Sequence, residues 1–487
     1  MSKKNTKLNY LYSVTYSVLN MILPLITSPY ISRVIGAEGL GIYSYNYSIA
    51  NYFMLFAMLG INNYGNRNIA KTRDNRNKMD KIFSEIYTMQ VGMSLIVMLA
   101  YLAYTFFVVK ENLVIAYIQI FMVISPAFTL SWFFMGLEEF KITVTRNFIL
   151  KILTFVAIFV FVKTKQDLWK YTLIMSLGFL LSEGVLIFII HKYVTYKRPN
   201  LRDVVKHIKP NLILFIPVIA VSIYRTMDKI MLKEFSTYSQ VGFYTNTEKI
   251  INICLAFVTA LGQVMLPKMS NMLANNQKNF FLKMIRQSMK LVFIMTIAMC
   301  FGIFGVAEQF VPVFFGEGYQ PCILILRLLS INLLFLGWGN VLKTQYLIPK
   351  EEDWIYIKSV FCGVVVNLLI NLALISKYAA IGAVIGTISA EAISLLVIYI
   401  YIRKELDFKQ YIADSIPYIF IGIFMMIGIE LLNILKINQL VLLLIKIIFG
   451  VSIFASFTLI YWIKTKDEFY TIILKMISKL KKNKSKI

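Results

Sequence analysis

Histidine is almost missing from this chain: only His191 and His207 occur in 487 residues, and both fall in one basic connection. Catalysis or metal binding built on imidazole has little to draw on. Cysteine is nearly as scarce. Cys254, Cys300, Cys322 and Cys362 lie in or beside apolar segments with no metal-ligand spacing, so they read as small core residues and imply no disulfide framework. There is no Walker A pattern, no glycine-rich nucleotide loop and no Cys/His cluster, which argues against work driven by a nucleotide bound to this chain. Charged residues make up 15%, and acids are the scarcer sign, 25 against 50 basic residues for a net charge of +25. What is abundant is apolar: 58% hydrophobic residues and a mean hydropathy of +0.69 exclude a soluble globular chain and give an all-α polytopic membrane protein. In that setting the positive excess sets topology against an anionic leaflet, and a nucleic-acid partner is not expected.

Apolar runs of about 20 residues recur fourteen times. They lie near 11–33, 42–65, 85–108, 113–135, 147–162, 170–190, 211–231, 241–266, 291–312, 323–347, 356–376, 379–402, 413–435 and 440–463. Lys and Arg concentrate in alternate connections, which places both termini in the cytoplasm; the loop with Lys163, Lys165 and Lys170 breaks the trend. Lys3, Lys4 and Lys7 precede the first run without a convincing cleavage site, so a retained first helix is expected. Residues 465–487 form a basic tail suited to anionic headgroups.

The stretch Phe215 to Phe235 reads as a membrane helix except that Arg225, Asp228 and Lys229 share one face of it. A charge at the bilayer centre costs about 2.5–3.5 kcal/mol on insertion scales, so this face is expected to line a wet cavity, with Arg225 as the strongest candidate. The alternative is a structural Arg225–Asp228 pair with Lys229 snorkelling outward.

The two halves are related. Gly41 to Asn46 reads GIYSYN and Gly242 to Thr247 reads GFYTNT, an offset of 242 minus 41, or 201; at that offset Arg67 falls opposite Lys268. Proline interrupts the preceding run in each half, at Pro24 and Pro29 and again at Pro217. Paired interrupted helices point to a transporter's binding region between repeats, and six runs per half imply an axis along the membrane normal.

The order and spacing of several motifs resemble the oligosaccharide flippases of polysaccharide biosynthesis, within the multidrug, oligosaccharidyl-lipid and polysaccharide exporter superfamily. They are SRVIGAEGLGIYSYN (Ser32 to Asn46), GNRNIAK (Gly65 to Lys71), WFFMGLEEFK (Trp132 to Lys141), DKIML (Asp228 to Leu232), VGFYTNTEKI (Val241 to Ile250), LPKMS (Leu266 to Ser270), FFGEGYQP (Phe314 to Pro321) and the stretch Asn367 to Glu391. The resemblance implies two six-helix lobes around a central cavity, at 1–209 and 210–404, followed by two further helices at 405–464. It implies a multi-pass protein of the bacterial cytoplasmic membrane. The cargo would be an undecaprenyl-pyrophosphate-linked oligosaccharide repeat unit carried from the inner to the outer leaflet, with a polysaccharide polymerase as a partner.

Moving a pyrophosphate out of water requires fixed cations and donors, for which Arg33, Arg225, Lys229 and Lys249 are the candidates; Arg146, Lys151, Arg327 and Lys343 are secondary. Asn367 and Asn371 stand four apart on one face, and with Asp228 and Thr387 they supply one carboxylate and three neutral oxygens, hard donors of the kind a small cation accepts. In the related lipid II flippases a sodium ion is placed on matching helices, with an acid near the position of Asn371, so a sodium ion or a proton on Asp228 is the expected coupling ion. Glu183 and Glu391 are further protonatable candidates. The competing readings are a drug exporter of the same superfamily, which would favour acidic cavity residues, a lipid II flippase, and a membrane sugar polymerase, which would need a large outside loop.

Overall fold

A computed structural model describes residues 6–471, with side chains from Ile22 onward except those of Phe140, Pro217, Ala220, Tyr224 and Arg225. No strand occurs among the described residues. The chain opens on α1 (Thr6–Met58), which is two helices joined at Gly36, whose φ of 78° and ψ of 175° suit glycine and end the first arm. A second break, at Leu59 and Gly60 with φ of 43° and 80°, ends the second arm before residue 65, where the apolar run suggested it would stop. The short amphipathic α2 (Ile61–Thr72) follows.

The remaining helices are α3 (Arg76–Phe107), α4 (Leu113–Gly136), α5 (Phe140–Phe161), α6 (Lys165–Ile190), α7 (Ile208–Phe235), α8 (Tyr238–Ala274), α9 (Lys278–Phe315), α10 (Pro321–Leu347), α11 (Asp353–Tyr378), α12 (Ala380–Ile402), α13 (Phe408–Ile434) and α14 (Gln439–Thr465). Among the described residues eleven of these, α3–α6 and α8–α14, are long and apolar enough to cross a membrane. The charged α7 and the two arms of α1 lie over three further apolar runs.

Contacts divide the chain into two compact units. The first comprises 1–249, 315–318 and 363–386; the second comprises 250–314, 319–362 and 387–487. Helix α7 and the start of α8 belong to the first unit, where they pack with α1.

In lipid, bringing helices together gains little from removing apolar surface from water, so close approach and buried hydrogen bonds carry the packing. Both are visible in the first unit. A side chain on Gly65 would begin 2.4 Å from the ring of Trp132, and one on Gly136 would meet Ile69 at 2.8 Å, so GNRNIAK and WFFMGLEEFK are two sides of one contact. Trp132 is fully buried and its Nε1 donates to Gln90 Oε1 at 2.8 Å. Gln90 Nε2 in turn donates to the carbonyls of Pro126 (2.5 Å) and Thr129 (2.7 Å), where α4 is interrupted by a 3-10 turn at Ser125–Phe128. A broken helix survives in hydrocarbon only when such freed carbonyls find donors within the protein. The segment after α6 lies along α3: Asp80 accepts from the Thr195 N–H (3.1 Å) and Ser84 Oγ from the Lys197 N–H (2.9 Å). Just beyond it the buried His207 lies between Tyr64 (2.7 Å) and Glu85 (2.8 Å).

The second unit is built on α8–α10 and α12–α14. Phe281, Met289, Tyr346, Ile398 and Phe408 share one core, and Ile297, Tyr418, Met425 and Phe454 another. The C-terminal stretch of α10, Leu342–Leu347, is wound as a π-helix.

Candidate functional site

On the charged face of α7, Asp228 is buried and Lys229 is partly buried. Asp228 is 3% exposed, and its carboxylate accepts from two neutral donors on other helices: the Tyr244 hydroxyl of α8 to Oδ2 at 2.8 Å, and Asn371 Nδ2 of α11 to Oδ1 at 2.6 Å. Asn371 Nδ2 also donates to Asn367 Oδ1 at 3.1 Å. Both asparagines are fully buried. The packing that makes this possible comes from α12, where a side chain on Gly386 would begin 2.1 Å from Asn371 Oδ1 and one on Gly382 would strike the backbone of Leu374 at 2.7 Å. The structure thus brings together Asp228, Asn367 and Asn371 of the expected ion set. Thr387, the fourth, belongs to the second unit. Among the described residues no group of three or more His, Cys, Asp or Glu side chains that could hold a metal ion converges.

The expected cations are placed differently from one another. Lys229 Nζ pairs with Glu248 Oε2 of α8 at 2.8 Å, and Lys249 is near enough to feel both of them. Arg33, at the end of the first arm of α1, lies across the turn 315–318: a side chain on Gly316 would meet its Cγ at 2.9 Å. The side chain of Arg225 lies outside the described residues. Of the secondary candidates, Arg146 is buried against Glu183 (3.4 Å), which also removes that glutamate from the uncommitted acids, Arg327 pairs with Glu430 (2.8 Å), and Lys343 sits 3.7 Å from the ring centre of Tyr356. Tyr244, Glu248 and Gly386 were missed by sequence reasoning. Tyr244 and Glu248 stand in the GFYTNT repeat and just after it, so the repeat itself was the available signal.

The 201-residue offset reappears as a reciprocal contact. A side chain on Gly41 would begin 1.7 Å from the carbonyl oxygen of Tyr238, and one on Gly242 would begin 1.9 Å from that of Ala37. Adding 201 to 37 gives 238 and to 41 gives 242, so the two halves cross with each glycine seated on the other half's elbow. The same exchange relates Asn246 donating to Ser32 (3.1 Å) with Lys233 over the ring of Tyr45 (5.5 Å). Such mutual contacts are the signature of a twofold relation.

Residues 7–273 match the family model described as polysaccharide biosynthesis protein, more than half of the chain. The chain belongs to the polysaccharide biosynthesis protein family. Over 408 residues this family member is 22% identical to a protein of Escherichia coli (strain K12) named as an O-antigen transporter, covering 83% of this chain and 98% of that one. It is 30% identical to the capsular polysaccharide biosynthesis protein CapF of Staphylococcus aureus over 178 residues, 35% of this chain and 43% of that one. Among solved structures, the lipid II flippase MurJ in an inward closed conformation aligns with a TM-score of 0.73 and 16% identity, covering 94% of this chain and 99% of that one. A multidrug resistance MATE family transporter in an inward-facing conformation aligns at 0.60 and 14% identity, covering 82% and 95%. These structural likenesses establish the fold, an all-helical architecture that this chain shares with both.

Proposed function

We propose that this protein is a flippase that carries undecaprenyl-pyrophosphate-linked oligosaccharide repeat units from the inner to the outer leaflet of a bacterial cytoplasmic membrane by alternating access. The single observation that carries the reading is the near full-length similarity to a protein named as an O-antigen transporter, within a family named for polysaccharide biosynthesis. The chemistry agrees. Lys229 on α7, with Lys249 close by, supplies fixed positive charge of the kind a pyrophosphate needs when it is stripped of water. Both termini lie in the cytoplasm in this reading, a polymerase on the outer side consumes the delivered repeat unit, and an ion gradient drives the cycle. The drug-exporter reading is less favoured, because the cationic candidates suit an anionic cargo.

Two measurements test it. Deleting the gene should accumulate a lipid-linked repeat unit on the inner face; altered drug sensitivity without that intermediate would favour an exporter. Arg225→Ala should lower repeat-unit export at least tenfold at unchanged protein abundance, whereas Arg225→Lys should keep part of it, since the charge survives while the bidentate fork is lost. Full export by Arg225→Ala would remove this residue from the cargo path.

A further inference from the structure

We propose that Asn371 holds, with its own amide protons, the position that a metal cation would take among Asp228, Asn367 and Asn371, so that this buried site is a closed hydrogen-bonded clamp indifferent to sodium. A small hard cation needs oxygens turned toward a common centre. Here Asp228 Oδ1 and Asn367 Oδ1 do converge, but they converge on Asn371 Nδ2, at 2.6 Å and 3.1 Å. An amide nitrogen has two hydrogens, and these two acceptors use both of them. A cation brought to the same place would meet donors in place of lone pairs. The residue types resemble a sodium set, yet the arrangement does not fit one.

The orientation of the amide follows from its neighbours. Turning Asn371 end for end would set two acceptor oxygens 2.6 Å apart with no proton between them. The present orientation instead leaves Oδ1 against the bare Cα of Gly386, where a Cβ would intrude at 2.1 Å, and that oxygen takes no donor. Leaving one amide oxygen without a donor is a smaller penalty than facing it to a carboxylate. Tyr244 completes the set by donating to the second carboxylate oxygen at 2.8 Å. The clamp ties α7, α8 and α11 together through neutral groups, and Asn371 does by hydrogen bonding what a second acid and a metal would do together.

The inference concerns the ion assumed to drive the proposed cycle, and its test reads folding stability, so its failure is separate from any failure of the flippase reading. Thermal unfolding of the purified full-length protein in detergent is followed in sodium, lithium, potassium and choline chloride at equal ionic strength. The wild-type midpoint should be the same in all four. Asn371→Asp, which replaces the donor with a second carboxylate, should unfold earlier in choline and recover saturably with sodium or lithium. A saturable, sodium-specific rise of the wild-type midpoint that is lost in Asp228→Asn would overturn the proposal. So would an Asn371→Asp protein that folds but answers to neither cation. If that variant cannot be purified, the wild-type titration decides alone.

Discussion

Asp228 in the first unit and Lys446 in the second are opposite solutions to one problem, a charge inside a membrane helix. Asp228 is met by neutral donors, Asn371 and Tyr244. Lys446, fully buried in α14, is met by neutral acceptors, Gln309 Oε1 and Asn433 Oδ1, each at 2.6 Å. The second network runs on: Asn433 Nδ2 donates to Glu430 (2.8 Å), which takes Arg327 (2.8 Å). Its members lie on α9, α10, α13 and α14, so it fastens the last two helices to their unit. The carboxamide side chain, polar but uncharged, is thus the common tool. The difference lies in what each leaves behind when the charge goes. Removing Asp228 takes an acceptor from two donors, whereas removing Lys446 takes a donor from two acceptors, of which Asn433 Oδ1 still receives Gln309 Nε2 at 2.9 Å. Buried N–H groups left without an acceptor are the rarer case in native structures.

The largest effect should therefore come from Asp228→Ala, with a loss of about 1–3 kcal/mol for each buried hydrogen bond whose acceptor is removed. Export should cease, and the unfolding midpoint should fall furthest of all the variants. Lys446→Met keeps the length of the side chain and removes its charge, so it should cost only about 1–2 kcal/mol, with export retained. Chemical unfolding in detergent of the two variants, run side by side, measures the asymmetry; equal losses would erase it. The smallest effect belongs to a water-facing pair used as a control. Glu405 accepts from Lys350 (2.5 Å) and from Tyr346 (2.6 Å), and these bonds, the lysine's first, hold its carboxyl below its ordinary value of 4.5. A lowered value in the folded state stabilises fully above about pH 4.5, and that contribution fades as the pH falls through the depressed value. Glu405→Gln should hence lower the midpoint slightly at neutral pH and converge with the wild type in acid. A difference that grows on acidification would contradict the assignment.

Hydropathy made the all-helical membrane class and the order of the helices legible, because a bilayer forces about 20 apolar residues per crossing. The charged run on α7 and the Asn367/Asn371 spacing were legible too, since periodicity alone puts them on faces. What could not be read was partnership. Nothing in the spacing of Glu248 says that it takes Lys229, and nothing in Arg33 says that it lies on Gly316. Lys446 passed unnoticed inside α14 because a single lysine in an apolar run carries no pattern. Asn371 shows the limit most plainly: its type suggested an oxygen ligand, whereas its position turned a nitrogen inward.

The paired seats of Gly41 on Tyr238 and Gly242 on Ala37 also constrain how the gene can drift. An ancestral duplication leaves two copies free to diverge, but here each elbow is the mould for the other. Inserting one residue between 37 and 41 would slide the first glycine off its seat and drive a side chain into a carbonyl on the opposite half. An insertion between 238 and 242 would do the same to the second glycine, so the spacing of each half at this crossing is held by the other.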